Sequence, residues 1–426
     1  MNSGRIIFLV VFNLLLFCAD LYVFQAFKAI HKNQSPERRK WYNRIYWFIS
    51  IAFLLMAACS VFFSVARWFR TLSLVGFMLI NFSKLFALPF ILIDDIRRGS
   101  WWLYAKIRYP KQHFPEIKHE EPLLASNEHK ISRSEFLSKA GIIAAAIPFS
   151  TMTFGIVEGV YDYKIKRVKL KLPNLPKSFE GLRLAQISDI HSGSFYNKRA
   201  VQGGVDLLLA EKPDMIFFTG DLVNDETSEV KDYIDIFNKV KAPLGVYSTL
   251  GNHDYGDYKQ WSSAKAKQQN LEDLKTVHRK SLGWDLLMNE NRIIEQGGEK
   301  IAIIGIENWG KGRFPKYGRM DLATKNTDDA AVKLLLSHDP SHWRMQVIPE
   351  YKNIDAMFAG HTHGMQFGIQ MGDFQWSPIQ YMYPEWAGLY TEGNQQLYVN
   401  VGYGFLGYPG RVGIYPEITI FELTRG

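Results

Sequence analysis

Three nearly unbroken apolar runs open the chain: Ile6 to about Ala29, Tyr46 to Ala66 and Leu72 to Ile93. Each approaches or exceeds the roughly 20 residues a helix needs to cross the hydrocarbon core, so this part of the sequence is constrained to membrane helices. The first run is too long and too poorly flanked for a cleaved signal peptide. A weaker fourth segment, Ala140 to about Val160, contains Pro148. Trp41, Trp47, Trp68, Trp101 and Trp102 stand near the ends of the runs, where amphipathic rings favour the headgroup level. A chain of 426 residues exceeds one ordinary domain. The expectation is a multispan, all-α transmembrane region of about four helices over 1–160, with a cytoplasmic basic linker, and a separate domain over 165–426.

The net charge of +8 raises nucleic acid as a partner, but the position of the cations argues against it. Lys28, Lys32, Arg38, Arg39, Lys40, Arg44, Arg97, Arg98, Lys106, Arg108 and Lys111 flank the apolar runs, as in cytoplasmic loops beside a bilayer. The connection between the second and third spans has only Arg67 and Arg70. The first and third connections are therefore expected in the cytoplasm. Four spans then leave the N-terminus and everything after about residue 160 outside it, in an integral protein of the plasma (inner) membrane. Ser132 to Leu137 resembles a degenerate, internal twin-arginine signal; a plain basic flank accounts for it equally well. Cys18 and Cys59 lie inside apolar segments and carry no redox information. Asp20 and Lys84 fall inside the first and third spans, where a charge usually meets a partner, water or a carbonyl.

After Tyr161 short apolar runs alternate with helical spacing. Leu182–Ile187, Met215–Phe218, Leu244–Leu250, Ile301–Ile306, Val332–Leu336 and Ala356–Ala359 read as strands, and Lys198–Lys212 and Glu229–Lys241 as helices. This alternation predicts an α/β layered domain, with functional loops beyond the carboxyl ends of its strands.

Five runs fall at such ends: Asp189-Ile190-His191, Gly220-Asp221, Gly251-Asn252-His253-Asp254, Ser337-His338 and Gly360-His361-Thr362-His363. Singly each is weak, since Asp or Asn after a strand is commonly a turn residue and a lone His is commonly structural. Together they offer carboxylate, imidazole and amide oxygen with no thiolate, a set suited to divalent Mn, Fe, Zn or Co.

The order of these runs, continuing through Gly364 and the tail Asn400-Val401-Gly402, Arg411 and Pro416-Glu417-Ile418, resembles the calcineurin-like metallophosphoesterase family, most of all its membrane-anchored bacterial branch. The resemblance covers about 165–426. It implies a four-layer double β-sheet sandwich flanked by helices and two divalent metal ions. Asp189, His191 and His363 would hold one ion, Asn252, His338 and His361 the other, and Asp221 would bridge them. Two such ions, about 3.5–4 Å apart, clamp the attacking and leaving oxygens of an in-line displacement, with a bridging hydroxide as nucleophile. By the same resemblance His253 binds phosphate and is a candidate acid for the leaving oxygen, with electrostatic fixation of substrate as the alternative. Asp254 would orient it. Met365 departs from the Gly usual in that branch and places a greasy side chain at the rim of the site.

Arg411 is a candidate phosphate contact, or else a surface ion pair. Trp309, Phe314, Tyr317, Phe367, Phe374, Trp376, Tyr381, Tyr383, Trp386, Tyr403, Phe405 and Tyr408 are expected mainly in packing, with any exposed members able to meet lipid. His278 and His342 read as structural.

The expectation is a membrane-anchored phosphoesterase acting on a phosphomonoester or phosphodiester, with a lipid- or envelope-linked substrate suggested by the tether and the aromatics. A membrane sensor that binds a phosphorylated ligand without efficient turnover is the alternative. A transporter is discouraged by the small bundle and its few intramembrane polar groups.

Overall fold

The computed structural model describes residues 3–63, 65–108, 133–312, 314–372 and 374–426. They form two compact units, Met1–Thr153 and Phe154–Gly426.

The first unit is built from helices α1 (Ser3–Ile30), α2 (Pro36–Phe62), α3 (Arg67–Arg108) and most of α4 (Arg133–Val157). All four are long and apolar enough to cross a membrane. Helices suit that environment because every backbone polar group is satisfied within the segment. Large apolar side chains such as Leu14, Phe48, Leu55 and Ile93 face outward. Two helices outrun their hydropathy. α2 begins at Pro36 because Ser35 caps it, accepting from the Arg38 N–H, and proline suits the first turn. α3 continues to Arg108 with Pro89 inside it. Of the Ser132–Leu137 run, Ser132 lies outside the described residues, as does Lys111. Glu135, in the first turn of α4, pairs with Lys32 at 2.8 Å and Lys139 at 3.0 Å. Asp20 and Lys84 form an ion pair, joined by Ser50, whose hydroxyl donates to Asp20 Oδ1 at 3.1 Å.

The second unit has strands β1 (Lys164–Lys171), β2 (Arg183–Ile187), β3 (Met215–Phe218), β4 (Val246–Ser248), β5 (Asp285–Leu286), β6 (Glu290–Gln296), β7 (Glu299–Gly305), β8 (Val332–Leu336), β9 (Ala356–Ala359), β10 (Ile369–Met371), β11 (Phe374–Trp376), β12 (Gly388–Glu392), β13 (Gln395–Val399) and β14 (Glu417–Thr424). One six-stranded sheet has the order β1-β14-β2-β3-β4-β5, the other β12-β13-β9-β8-β7-β6, and β10-β11 form a separate ribbon. The middle of each sheet is parallel. Strands there are covered on both faces, which is why they read as unbroken apolar runs.

The sheets meet through Leu184, Phe217, Ile303, Leu334, Phe358 and Phe421, with the Phe217 and Phe358 rings 5.1 Å apart and edge-on. Alternate residues face outward. Ala185, Ile187, Ile216 and Phe218 pack beneath Val201, Val205 and Leu208 of helix α5 (Lys198–Ala210). Ala302, Ile304, Leu335 and Met357 pack beneath Trp343 and Val347. This is the expected four-layer sandwich.

Two expectations need correction. The stretch Glu229–Lys241 is a tighter 3-10 turn, Thr227–Tyr233, followed by the short helix α6 (Ile234–Phe237). Its apolar spacing still buries Val230, Ile236 and Phe237, but Asn270 holds the Thr227 N–H and hydroxyl at 2.8 and 2.6 Å, away from a helical ladder. Leu244–Leu250 contains only the short strand Val246–Ser248, because Leu250 already belongs to the loop that carries Asn252.

Candidate metal centre

Each motif lies just past the carboxyl end of a strand: Asp189 and His191 after β2, Asp221 after β3, Asn252 after β4, His338 after β8, and His361 and His363 after β9. The loops turn back sharply. Asp189, His191, Asp221, His361 and His363 all have left-handed backbone, with φ of 50°, 48°, 60°, 72° and 51°. Such conformations are uncommon outside glycine and persist where surrounding contacts enforce them, typically at functional sites. Two motif glycines follow from the same crowding. A Cβ on Gly251 would strike the Asp221 carboxylate, and one on Gly360 the Asp189 carboxylate.

The loops bring the donors together. His191, His363 and Asp189 form one group whose candidate ligand atoms lie within 4.8 Å of one another, and Asp189, Asp221 and His338 form a second. Asp221 Oδ2 sits between the two sides, 3.5 Å from His191 Nε2 and 3.2 Å from His338 Nε2. On the far side Asn252 Oδ1 lies 3.1 Å from His338 Nε2 and 2.8 Å from His361 Nδ1. On the near side His363 Nε2 lies 3.3 Å from Asp189 Oδ1.

The outward ring nitrogens are held by the protein. His338 Nδ1 donates to the Thr219 carbonyl at 2.7 Å, His191 Nδ1 to Asn224 Oδ1 at 3.1 Å, and His361 Nε2 contacts the Tyr383 hydroxyl at 2.9 Å. Such contacts fix tautomer and ring orientation. His191 Nε2 and His363 Nε2 are buried without a hydrogen-bond partner. Buried polar atoms are seldom left so, and these two point among carboxylates. A divalent cation satisfies both at once, so the residues present fit a metal site.

The electrostatics agree. Burial drives His191 down to about 3, and burial likewise lowers His361 and His363. Burial also opposes charge on His338, yet Asp221, Asp189 and the Thr219 carbonyl lift it to about 10. Burial lifts Asp189 to about 6. Asp221 is held well below its usual range, because the imidazoles around it outweigh burial.

Asp254 does not support His253. It accepts the N–H groups of Asp221, Leu222 and Gly251 at 2.9 Å and of Val223 at 3.3 Å, tying the second and third motif loops together. Burial and the neighbouring Asp221 push its carboxyl up to about 7. His253 is positioned instead by the Asn224 carbonyl, 2.7 Å from Nδ1, and its backbone N–H donates to Asp221 Oδ1 at 2.8 Å. Asn224 therefore serves two site histidines. It stands three residues after Asp221 in Gly-Asp-Leu-Val-Asn, a polar amide within the same loop that could have marked it.

Arg411 is neither a surface ion pair nor an open phosphate contact. It is fully buried, and its guanidinium donates to the Val401 carbonyl at 2.8 Å and to the Gly404 carbonyl at 2.9 and 2.6 Å, with Nη2 3.3 Å from His363 Nδ1. Of the expected rim aromatics, Trp309, Tyr383, Trp386, Tyr403 and Phe405 are buried, whereas Tyr317, Phe367, Phe374 and Tyr381 are exposed. Phe314 sets its edge against the His361 ring at 5.2 Å. His342 is buried and spans Ser337 and Gln346, each at 3.0 Å, and His278 is buried against Ser248 at 3.1 Å.

The sandwich gathers carboxylates and imidazoles at its strand ends around unpartnered nitrogens, an arrangement suited to divalent metal ions. Residues 182–365 match the family "Calcineurin-like phosphoesterase", and residues 4–160 match "Probable Calcineurin-like phosphoesterase, transmembrane domain". The chain belongs to the calcineurin-like metallophosphoesterases and carries a membrane-spanning domain. It is 26% identical over 310 residues to "Transmembrane protein with metallophosphoesterase domain" of Danio rerio, covering 70% of this chain and 66% of that one. It is 28% identical over 300 residues to "Uncharacterized metallophosphoesterase YkuE" of Bacillus subtilis, covering 69% and 98%. Its relatives thus include both animal and bacterial proteins. A solved dimetal phosphatase from Danio rerio aligns over 57% of this chain and 93% of its own length, at 11% identity and a TM-score of 0.32.

Proposed function

We propose that this chain is a membrane-anchored phosphoesterase that hydrolyses a phosphomonoester or phosphodiester outside the cytoplasm, with a lipid- or envelope-linked compound as substrate. The observation that carries the reading is Asp221 Oδ2 lying between His191 Nε2 and His338 Nε2, with Nε2 of both His191 and His363 unpartnered. Asp189, His191 and His363 would hold one divalent ion, Asn252, His338 and His361 a second, and Asp221 both. When bound, such ions supply Lewis acidity at the phosphoryl oxygens and make water acidic enough to attack at neutral pH.

The chain's own residues do the rest. His253 uses Nδ1–H on the Asn224 carbonyl, which leaves Nε2 for substrate. As an imidazolium it delivers the Nε2 proton to the leaving oxygen as the phosphorus–oxygen bond breaks, a general-acid role. The Asp221 contact to the His253 backbone fixes that imidazole relative to the donor cluster. Orientation follows from loop charge: the basic α1–α2 connection stays in the cytoplasm and the catalytic unit lies on the other side.

The test is a screen of the full chain, purified in detergent and reconstituted with manganese, against aryl mono- and diesters, nucleotide-sugar lipids and prenyl phosphates. Hydrolysis that disappears in Asp221→Asn is expected. Turnover retained in that variant would overturn the bridging assignment, and no turnover of any substrate would leave a phosphoester-binding sensor in its place. For His253→Ala, metal content is expected to stay and turnover to fall most on poor leaving groups.

A further inference from the structure

The ribbon that follows the His361–His363 loop is amphipathic and lies outside both large sheets. Met371 pairs with Phe374 and Ile369 with Trp376. Residues directly opposite across an antiparallel pair share a face, as do alternate residues along a strand. Phe367, Ile369, Met371, Phe374 and Trp376 therefore line one face, while Gln370 and Gln375 occupy the other. The apolar face is open: Met371 is 72% and Phe374 60% exposed. The next turn adds Tyr381 at 78% and Met382 at 61%. Contiguous exposed apolar surface of this kind marks an interaction site.

Its neighbours indicate what covers it. The Val412 N–H donates to the Gln366 carbonyl at 2.8 Å, and the Gly368 N–H to the Val412 carbonyl at 2.9 Å, so the root of the ribbon is fastened to the 411–412 segment. That segment is fastened to the end of α4, where the Arg411 N–H donates to the Gly155 carbonyl at 3.1 Å. Tyr408 and Val412 pack so closely there that a Cβ on Gly155 would collide with them. The candidate span that contains α4 runs to Tyr161, and Phe154 and Val157 in its last turn are exposed. The root of the open apolar face is thus tied, through two short hydrogen-bonded steps, to the end of a membrane span. Next in sequence to Met382, the buried Tyr383 lies 2.9 Å from His361 Nε2, so one residue links the patch to the metal centre.

We propose that the ribbon face of Phe367, Ile369, Met371, Phe374 and Trp376, with Tyr381 and Met382, is an interfacial anchor that dips into the phospholipid bilayer at the end of α4. Aromatic, aliphatic and thioether side chains such as these suit the boundary between headgroups and acyl chains. The anchor sets the mouth of the metal centre at headgroup depth, where the phosphoester of a membrane-embedded lipid resides. This last step rests on the phosphoesterase reading above; the anchoring itself does not.

Two measurements separate them. In a Cys18→Ala, Cys59→Ala background, Met371→Cys carries an environment-sensitive fluorophore, and the full chain is reconstituted in phosphatidylcholine vesicles. Blue-shifted emission, quenched by lipids doxyl-labelled near the headgroup, is expected. Emission matching a label at exposed Lys352→Cys, or energy transfer between labelled copies without lipid quenching, overturns the anchor in favour of an unburied face or a self-association surface. In the second measurement, Met371→Ser with Phe374→Ser is expected to leave turnover of a soluble aryl phosphoester within about twofold while turnover of a vesicle-borne lipid phosphate falls at least about tenfold, as when two large apolar side chains leave the interface. Equal loss on both substrates overturns the lipid-access role. Absence of turnover in the unmodified chain removes the phosphoesterase reading and leaves the fluorescence result standing.

Discussion

Arg411 Nη2 lies 3.3 Å from His363 Nδ1, so a buried cation backs an imidazole of the candidate metal centre. The same guanidinium binds carbonyls of Val401, Gly402, Gly404 and Ile414, and burial lowers it only to about 10, leaving it charged at neutral pH. Arg411→Met would strand these carbonyls in a dry interior, at a cost on the order of 3 kcal/mol. Arg411→Lys is expected to recover little, because an ammonium cannot reproduce the planar fork. Thermal unfolding and metal content of the solubilised chain should fall together in both variants.

Asp254 makes the second prediction because it touches no phosphoester and still holds the site. Its two oxygens take four backbone N–H groups. Asp254→Asn turns one acceptor into a donor facing N–H groups, so the Asp221 and Asn252 loops should lose their register. Metal affinity is expected to drop about 10- to 100-fold, the range for residues that orient ligands. Competition with a chromophoric chelator would show it, and unchanged affinity would refute the coupling.

Third, His278 should make the fold acid-sensitive. Burial, aided by Arg279, lowers its pKa from 6.5 to about 3, and its Nε2 is buried without a partner. Between those values the unfolded chain binds the proton and the folded chain does not, so stability falls as pH drops from 6.5 toward 3. Each unit costs about 1.4 kcal/mol, or roughly 2 kcal/mol by pH 5. His278→Gln, which removes the titrating group, should reduce the difference in unfolding temperature between pH 7 and pH 5 relative to the unaltered chain.

Much of this architecture is legible in the residues themselves, for identifiable reasons. The central strands are buried on both faces, so Met215–Phe218 and Ala356–Ala359 stand out as apolar runs with the observed bounds. The donors follow directly after such runs. What stayed hidden depends on loops distant in sequence approaching one another. Among the partners of the outward ring nitrogens, Asn224 is marked only by standing in the Asp221 loop, and the Thr219 carbonyl and Tyr383 follow no local pattern. Asp254 looks like a partner for its neighbour His253 until the Asp221 loop is laid across it. Arg411 is polar and near a turn, which suggests the surface; only the closure of the 401–414 segment buries it. Hydropathy marks the lipid-facing part of α2 and α3, but a helix continues while its backbone ladder and caps are satisfied, so both run longer.

The last prediction concerns the charges within the spans. Lys84 pairs with Asp20 and donates to Ser50 at 3.1 Å, while the Tyr46 hydroxyl donates to the Asp20 carbonyl at 3.0 Å. Three helices, α1, α2 and α3, therefore meet at one polar knot. An unpaired charge at such depth is costly, and removing one partner of a buried pair typically costs about 3–5 kcal/mol. Asp20→Lys and Lys84→Asp should each collapse yield and thermal stability in detergent, with substantial recovery in the double reversal. Replacing both with apolar residues, Asp20→Leu with Lys84→Met, separates structure from function: a purely structural knot gives a stable chain with unchanged turnover, because neither charge is left alone. A stable double variant that loses turnover would instead show that the polar knot acts in the protein's work rather than in its assembly.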